Sequence, residues 1–492
     1  MTDVRSSFTA RSLGSREKAE RIANRALGHI KAYRSFVSSQ GIGPDVPFEH
    51  LPLQDKESYL RQYPFADLLG DDFADTFTIF SSAGSAARSF YWPQLKTGYA
   101  DAAANLRLLL ETTYAIDRHS TLAVVGLALG SWIGGDILSW LLKDVAIATP
   151  YPFAVFSPGN KHEEIVSILR AAAGLVDRIL LVCCPSAIGH LVLLAEQLGE
   201  PLPLEKMRYL VIGEPFPEAL RLDLARRSGV AAGDVLMMSV YGSADTGVMG
   251  FESPATILLR QLCYRDAEIA ASLGIEGVIP HFFHHADPGT YLEEVAGELC
   301  ITRWQGIPLV RYNLHDQVQL FDWPGLVRQL SAQAERQPSL ASVMPMLTAH
   351  SGLLPSSGII AIAGRADFCL NLCGTKLSEA MLDEAMRSED LADTLTGVYL
   401  ASVVTEDGRQ RLSIRLETRY APGKPAEVVD AVYPRLVQAI GRAQPEFLDD
   451  WTNIYRRWDD DPARRILKLD LAPWPTMSGT SENRIKQHSI VP

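Results

Sequence analysis

Two stretches of this 492-residue chain carry residue types suited to chemistry. The first is Met237-Met238-Ser239-Val240-Tyr241-Gly242-Ser243-Ala244-Asp245-Thr246-Gly247, an apolar strand-forming run that breaks at Gly242 into a turn of small residues with one carboxylate. A strand ending this way presents backbone N–H groups and a carboxylate together at the C-terminal edge of a sheet, where α/β proteins bind ligands. Tyr241 offers a flat ring there and Asp245 an oxygen suited to a metal ion, although an ordinary strand-to-loop junction has the same composition. The second is Ser81-Ser82-Ala83-Gly84-Ser85-Ala86-Ala87-Arg88-Ser89, which follows a strand-prone run over 76–80. Small side chains let phosphate oxygens approach the backbone amides, and hydroxyls add donors. A hairpin turn is the simpler reading, and no Gly-Lys-Ser/Thr phosphate loop of Walker spacing occurs.

These stretches need a sheet to hold them, and the pattern supplies one. Helical periodicity runs over 15–40, and Asp55 is placed to cap a helix over 56–62 that Tyr63-Pro64 stops. A buried strand over 122–127 leads through a glycine turn into a helix. Strand-type runs at 146–149, 178–183 and 209–212 then alternate with helices near 163–173, after Pro185 and up to about 228. That alternation predicts a mostly parallel sheet covered on both faces. From 255 to 318 the pattern reads as β-rich. Beyond Gly364-Arg365-Ala366-Asp367 it predicts a second α+β unit, with strands at 397–404, 412–416 and 465–471 and a helix over 426–442.

Composition bounds the function. A chain that is 47% hydrophobic and 21% charged builds a large core, and its length exceeds that of a usual single core. A net charge of −12 without a Lys/Arg tract argues against a nucleic-acid binder. The longest uncharged run, 121–135, is too short and glycine-rich to span a bilayer, so no membrane partner is expected. Six cysteines without metal-ribbon spacing, and no signal peptide ahead of Arg5 and Arg11, suggest reduced thiols in the cytoplasm.

Seven segments fall in the order of one known family. Leu51-Pro52-Leu53-Gln54-Asp55-Lys56-Glu57 through Tyr63-Pro64-Phe65 resembles LPFTTKxDLRxxYPF, and Ser81–Ala86 sits in the place of SSGTTG. Cys183-Cys184-Pro185-Ser186 is similar to C-T-P-S, Gly213-Glu214-Pro215 to G-x-E-P, and Tyr241-Gly242-Ser243-Ala244-Asp245 to Y-G-x-T/S-E. Pro308-Leu309-Val310-Arg311-Tyr312-Asn313-Leu314-His315-Asp316 resembles P-L-I-R-Y-R-T-G-D. Gly364-Arg365-Ala366-Asp367 with Asn371-Leu372-Cys373-Gly374-Thr375-Lys376 resembles the hinge GRxDD…G-x-R/K. The chain thus resembles the adenylate-forming (ANL) superfamily, in its phenylacetate–coenzyme A ligase-like branch, collinearly over about 50–380.

The resemblance implies an α/β fold: a large multi-sheet adenylate-forming N-terminal domain (1–364) with the ATP and acyl sites, and a small mobile α+β C-terminal domain (365–492). It implies ATP-dependent activation of a small-molecule carboxylic acid as acyl-AMP, release of pyrophosphate, and transfer to a thiol, most simply coenzyme A. Transfer to an amine or carrier protein, or a non-catalytic relative that only binds nucleotide or acyl ligand, stay open, as does a homodimer. Carried over, Ser81, Ser82, Gly84 and Ser85 hold phosphates, and Asp245 positions Mg²⁺. Tyr241, with Gly242, Ser243 and Ala244 after it, stacks on adenine against a wall of Gly213, Glu214 and Pro215. Asp316 accepts the ribose hydroxyls. Arg365 and Lys376 bring positive charge, and Asp367 is the pivot of a domain swing.

Departures from the pattern are informative. Ala83 and Ala86 stand where the family prefers glycine, and Arg88 replaces its proline region. Asp245 is one methylene shorter than the family Glu, which favours a water between it and Mg²⁺. His315 replaces a glycine, either filling space or adding a partner for the nucleotide. The family's C-terminal catalytic lysine aligns with Arg484, with Lys486 two residues on, a change of shape and reach at one cation. His281, His284 and His285 fit a strand better than a metal site, and Cys369 and Cys373 fit packing. Ser131-Trp132-Ile133-Gly134-Gly135 would wall a pocket for a flat, aryl-type or small acyl group.

Overall fold

The computed structural model describes residues 9–43, 46–82, 90–130, 133–199, 201–230, 234–275, 278–285, 287, 289–335, 337–349, 358–365, 369–386, 388, 390–419, 425–473 and 476–477. Short strands β1 (Thr9–Ala10) and β2 (Ser12–Leu13) open the chain, and β3 (Thr76–Ser82) pairs antiparallel with β4 (Phe90–Leu95) as a separate hairpin. A 13-stranded sheet dominates. Its parallel part comprises β5 (Thr121–Gly126), β6 (Phe153–Phe156), β7 (Arg178–Cys183), β8 (Met207–Ile212) and β9 (Met237–Ser243), in the order β6-β5-β7-β8-β9. Its antiparallel part comprises β10 (Gly247–Phe251), β11 (His281–His285), β12 (Tyr291–Val295), β13 (Glu298–Arg303), β14 (Leu309–Asp322) and β15 (Gly358–Arg365). The path continues from β9 as β10-β11-β15-β14-β13-β12-β2, with β1 on β14.

The uninterrupted apolar runs of β5, β7 and β8 are explained by burial on both faces. Helices α1 (Arg16–His29), α2 (Lys31–Ser39) and α3 (Phe65–Leu68) lie against the antiparallel part. Helices α4 (Lys96–Tyr114) and α5 (Ile133–Ala148) pack Leu110, Leu138 and Leu142 onto Ala123, Val125, Val182 and Met238. Helices α6 (His162–Ala172), α7 (Pro185–Gln197) and α8 (Glu218–Ser228) pack Ile165, Leu191 and Leu224 onto the alternate set, Val124, Leu181, Val211 and Met237. The period of two along each strand divides the two cores. Helices α9 (Pro254–Arg265), α10 (Ala267–Ser272), α11 (Trp323–Ala334), α12 (Pro338–Ala341) and α13 (Met344–Ala349) cover Phe282 and Phe321 on the antiparallel part.

The C-terminal unit has its own core, from Leu370 to Leu467. It holds the hairpin β16 (Cys369–Leu372) and β17 (Thr375–Ser378), helix α14 (Glu379–Met386), the long hairpin β18 (Leu395–Glu406) and β19 (Arg409–Thr418), helices α15 (Pro425–Ala443) and α16 (Pro445–Asp450), and β20 (Leu467–Pro473) parallel to β19. No helix among the described residues is long and apolar enough to cross a membrane.

Three local expectations are corrected. The helix expected over 15–40 is two, broken at Ile30, whose extended backbone closes α1 and opens α2. The strand expected at 146–149 is the last turn of α5, because Val145 continues that helix's buried face; the strand lies at β6 instead. The stretch after 255 begins with helices α9 and α10. Ser253 and Thr256 form a reciprocal capping box there, with Pro254 in the first turn, a start signal that the apolar content of the segment masks.

Candidate functional site

Two tyrosine–aspartate pairs join strands that are not neighbours. The Tyr241 hydroxyl on β9 donates to Asp316 Oδ2 on β14 at 2.5 Å. The Tyr312 hydroxyl on β14 donates to Asp245 Oδ2, in the turn after β9, at 2.6 Å. Four strand spacings separate β9 from β14 along the sheet, about 19 Å if it were flat, so the sheet curls to bring these ends together. A bulge between Val248 and Gly250 lies beside Tyr241, and another between Gln317 and Val318 follows Asp316. Bulges increase local twist and re-aim side chains next to functional sites.

Each group is fixed from a second side. The Tyr241 ring stacks on Phe283, with centroids 5.3 Å apart and planes at 26°. Gln305 Nε2 donates to the Asp245 carbonyl at 2.6 Å, and Arg303 holds the Thr246 carbonyl. The Ser243 and Thr246 hydroxyls meet at 3.0 Å across the turn, and Ala244 packs on the adjoining core. Gly242 is required by close approach: a Cβ there would lie 2.5 Å from the Gly247 carbonyl oxygen.

Gly213-Glu214-Pro215 leaves the end of β8, with Gly213 at φ +101° beside Cys184 and Glu214 buried. Behind this turn lies a buried ionic network that sequence reading missed. Arg221 bonds Glu252 Oε2 at 2.6 Å and Glu218 Oε2 at 3.0 Å, and Arg260 bonds Glu218 Oε2 at 2.9 Å and the Phe216 carbonyl at 2.7 Å. Glu252 also accepts from the Ser239 N–H on β9 and faces His281 Nδ1 at 3.1 Å. Burial works to raise the Glu252 carboxyl, but Arg221 and His281 outweigh it and bring it down to about 2. Burial pushes His281 down to about 4, so the ring is neutral near pH 7. The network ties α8, α9, β9 and β11 together directly behind the Gly213 turn and Tyr241. Nothing at Glu218, Arg221, Glu252 and Arg260 marks them as buried in sequence, since charged residues are usually solvated.

The motif around Arg311 is also structural. Arg311, at φ +48°, is buried, pairs with Glu293 at 2.8 Å and donates to the Leu51 carbonyl at 2.7 Å. Gln54 bridges the same strand: its N–H donates to the Arg311 carbonyl at 3.1 Å, and its carbonyl accepts from the Asn313 N–H at 2.7 Å. The Leu51–Glu57 and Pro308–Asp316 segments, distant in sequence, are therefore one unit. His315, at φ +57°, links Glu298 (3.0 Å) and Asp55 (3.4 Å). His315 holds the Asp55 carboxyl well below the usual range, aided by Ser58, whose N–H Asp55 caps.

The other sequence-predicted residues are more scattered. Ser81 is half-buried opposite Tyr91 in the β3–β4 hairpin, and Ser82 ends β3. Gly84 and Ser85, Ala83, Ala86 and Arg88, Ser131 and Trp132, Asp367, and Arg484 with Lys486 lie outside the described residues. The Arg365 backbone closes β15, in register with Asp316. Lys376 is exposed on β17, and its carbonyl accepts from Gln444 Nε2 at 2.7 Å. His284 faces Ser253 Oγ at 2.9 Å, and Cys373 Sγ lies 3.6 Å from His190 Nε2.

No protein-family model and no curated protein sequence matches the chain. Among solved structures it is similar to 2-hydroxyisobutyryl-CoA ligase in complex with 2-HIB-AMP and CoA in the thioesterification state: TM-score 0.62, 13% identity, covering 96% of this chain and 88% of that one. An open conformation of the same ligase gives 0.49 at 13% identity over 97% and 90%. The amide bond synthetase McbA from Marinactinospora thermotolerans gives 0.45 at 11% over 88% and 69%. The chain has the α/β architecture of the adenylate-forming ligases, a large sheet domain followed by a small α+β one.

Proposed function

We propose that this chain is an AMP-forming acid–thiol ligase, which activates a carboxylic acid with ATP and passes the acyl group to coenzyme A. The observation that carries the reading is the crossed pair Tyr241–Asp316 and Tyr312–Asp245, which sets an aromatic face and two carboxylates at one end of a curled sheet. In this reading adenine lies between Tyr241 and the Gly213-Glu214-Pro215 turn, and the ribose hydroxyls donate to Asp316. Asp245, steadied by Tyr312, suits one place in the oxygen shell of a Mg²⁺ whose charge neutralises phosphate oxygens. Ser81, Ser82, Gly84 and Ser85 would cradle the phosphates, and Arg365, Lys376, Arg484 and Lys486 would supply positive charge. Seven motifs in order support the phenylacetate–CoA ligase-like branch.

The neighbour that superposes at 0.62 was captured with an acyl-AMP and CoA in its thioesterification state. We take the present docking of the C-terminal unit, with Asn371 Nδ2 3.3 Å from the Gly213 carbonyl, as that of the second half-reaction. Asp367 and a boundary near 364/365 would be the pivot. All six cysteines are free thiols, which supports a reducing, cytoplasmic setting.

The test is carboxylate-dependent ATP–pyrophosphate exchange over a panel of aryl and short-chain acids, followed by thioester detection with coenzyme A. Exchange with at least one acid and a CoA product is expected. Folded protein that binds nucleotide but exchanges with no acid would make it a binding protein instead.

A further inference from the structure

Two glycines far apart in sequence meet where the C-terminal unit rests on the helices of the parallel sheet. Gly189 lies in the second turn of α7, and Gly408 ends the two-residue turn between β18 and β19. Asp407 at φ +50° and Gly408 at φ +74° give that hairpin a tight turn of type I′ geometry. A Cβ on Gly189 would stand 2.0 Å from the Gly408 carbonyl oxygen and 3.1 Å from its carbon. Among the described residues, and beyond the helix's own backbone, the three nearest atoms all belong to Gly408, the third at 3.9 Å. Glycine inside a helix is less favourable than alanine. What the position accommodates is the approach of the hairpin tip.

The same face carries further contacts between the two units. His190, the next residue, packs against the rings of Tyr455 and Trp458 at 5.2 and 5.5 Å. Asn160 Nδ2 donates to Asp449 Oδ2 at 3.2 Å and Asp450 Oδ1 at 3.3 Å, and Arg457 pairs with Glu163 at 2.7 Å. This docking also places Asn371 on the Gly213 carbonyl and Gly374 against Cys184.

We propose that Gly189 is a positioning residue: a side-chain-free seat on α7 that admits the Asp407–Gly408 tip and so selects the domain arrangement used for acyl transfer to the thiol. The inference rests on the ligase reading above. In that step the thiolate sulfur forms a bond to the acyl carbon, the acyl–oxygen bond breaks, and AMP leaves with the electron pair. Gly189 touches none of the reacting atoms; it acts by letting the C-terminal unit seat.

The experiment compares wild type with Gly189→Ala and Gly189→Leu, and with Asn160→Ala/Glu163→Ala, which leaves α7 intact. Each is measured by pyrophosphate exchange, single-turnover thioester formation, thermal melting and small-angle scattering. Because alanine favours the helix, Gly189→Ala is expected to melt no lower than wild type. Thioester formation is expected to fall about tenfold while exchange stays within about twofold, a split between half-reactions that a folding defect would not give. Scattering should show a larger maximum dimension, more so for leucine. Unchanged thioester formation with unchanged dimensions in both glycine variants would overturn the proposal. If wild type shows no exchange, the ligase reading fails, and scattering alone decides: expansion in Gly189→Leu supports the seat, and a compact variant removes it.

Discussion

Tyr241 and Asp316, 75 residues apart, share a hydrogen bond of 2.5 Å that closes a curled sheet on itself. The bond orients the carboxylate proposed to receive ribose and fixes the ring proposed to lie under adenine. Its two partners fail differently. Asp316→Ala removes the acceptor of two ribose hydroxyls and is expected to lower kcat/KM for ATP in exchange by roughly 10–100-fold, as hydrogen bonds to a charged group are worth about 1.5–3 kcal/mol. Tyr241→Phe keeps the ring and is expected to cost only about threefold to tenfold. Equal losses in the two variants would contradict the division of roles.

Gly242→Ala tests the turn. Its Cβ would press on the Gly247 carbonyl, so the β9–β10 connection must open and Asp245 must shift. Exchange is expected to fall about tenfold or more, as a misplacement of about 1 Å can cost. Full activity would show that the turn is not held as described.

Glu252→Gln removes a charge from the network behind the nucleotide wall and leaves Arg221 buried beside a neutral group. Breaking such a pair from one side costs about 3–5 kcal/mol. The denaturation midpoint should drop accordingly, and a change below about 0.5 kcal/mol would mean the network is solvated.

Acid should destabilise the protein through its buried histidines. Burial pushes His162 and His190 down to about 3, and His281 and His285 down to about 4. The unfolded chain takes up these protons below about pH 6.5 while the folded one does not, so stability is full above that pH and falls as pH drops toward 4. Each histidine contributes roughly 1.4 kcal/mol per pH unit within the window. Asp450, raised to about 6 by burial, and Glu446, raised to about 8, act in the opposite sense, as do Glu294 and Asp459, which burial also raises, and together they offset part of this loss. Stability measured from pH 7 to 5 should therefore decline, and a flat profile would contradict neutral buried histidines.

Much of this architecture was legible in the sequence because its signals are local. The run Arg178–Cys183 is apolar on both faces and is a central parallel strand, and the Tyr241–Gly247 break is a strand end at the sheet's edge. The crossed tyrosine–aspartate pairs were not legible, since they depend on how far the sheet curls. Nor was the place of Arg311, whose guanidinium is buried against Glu293 and the Leu51 carbonyl. The run at 146–149 misled because a short apolar segment fits a strand and a buried helical turn equally well.

The most direct test of the central claim is titration calorimetry with AMP on wild type and Asp316→Ala. The account predicts one saturable site in wild type and affinity at least about tenfold weaker in the variant, the loss of hydrogen bonds to a carboxylate. No binding by wild type, or equal affinity in the two proteins, would contradict it.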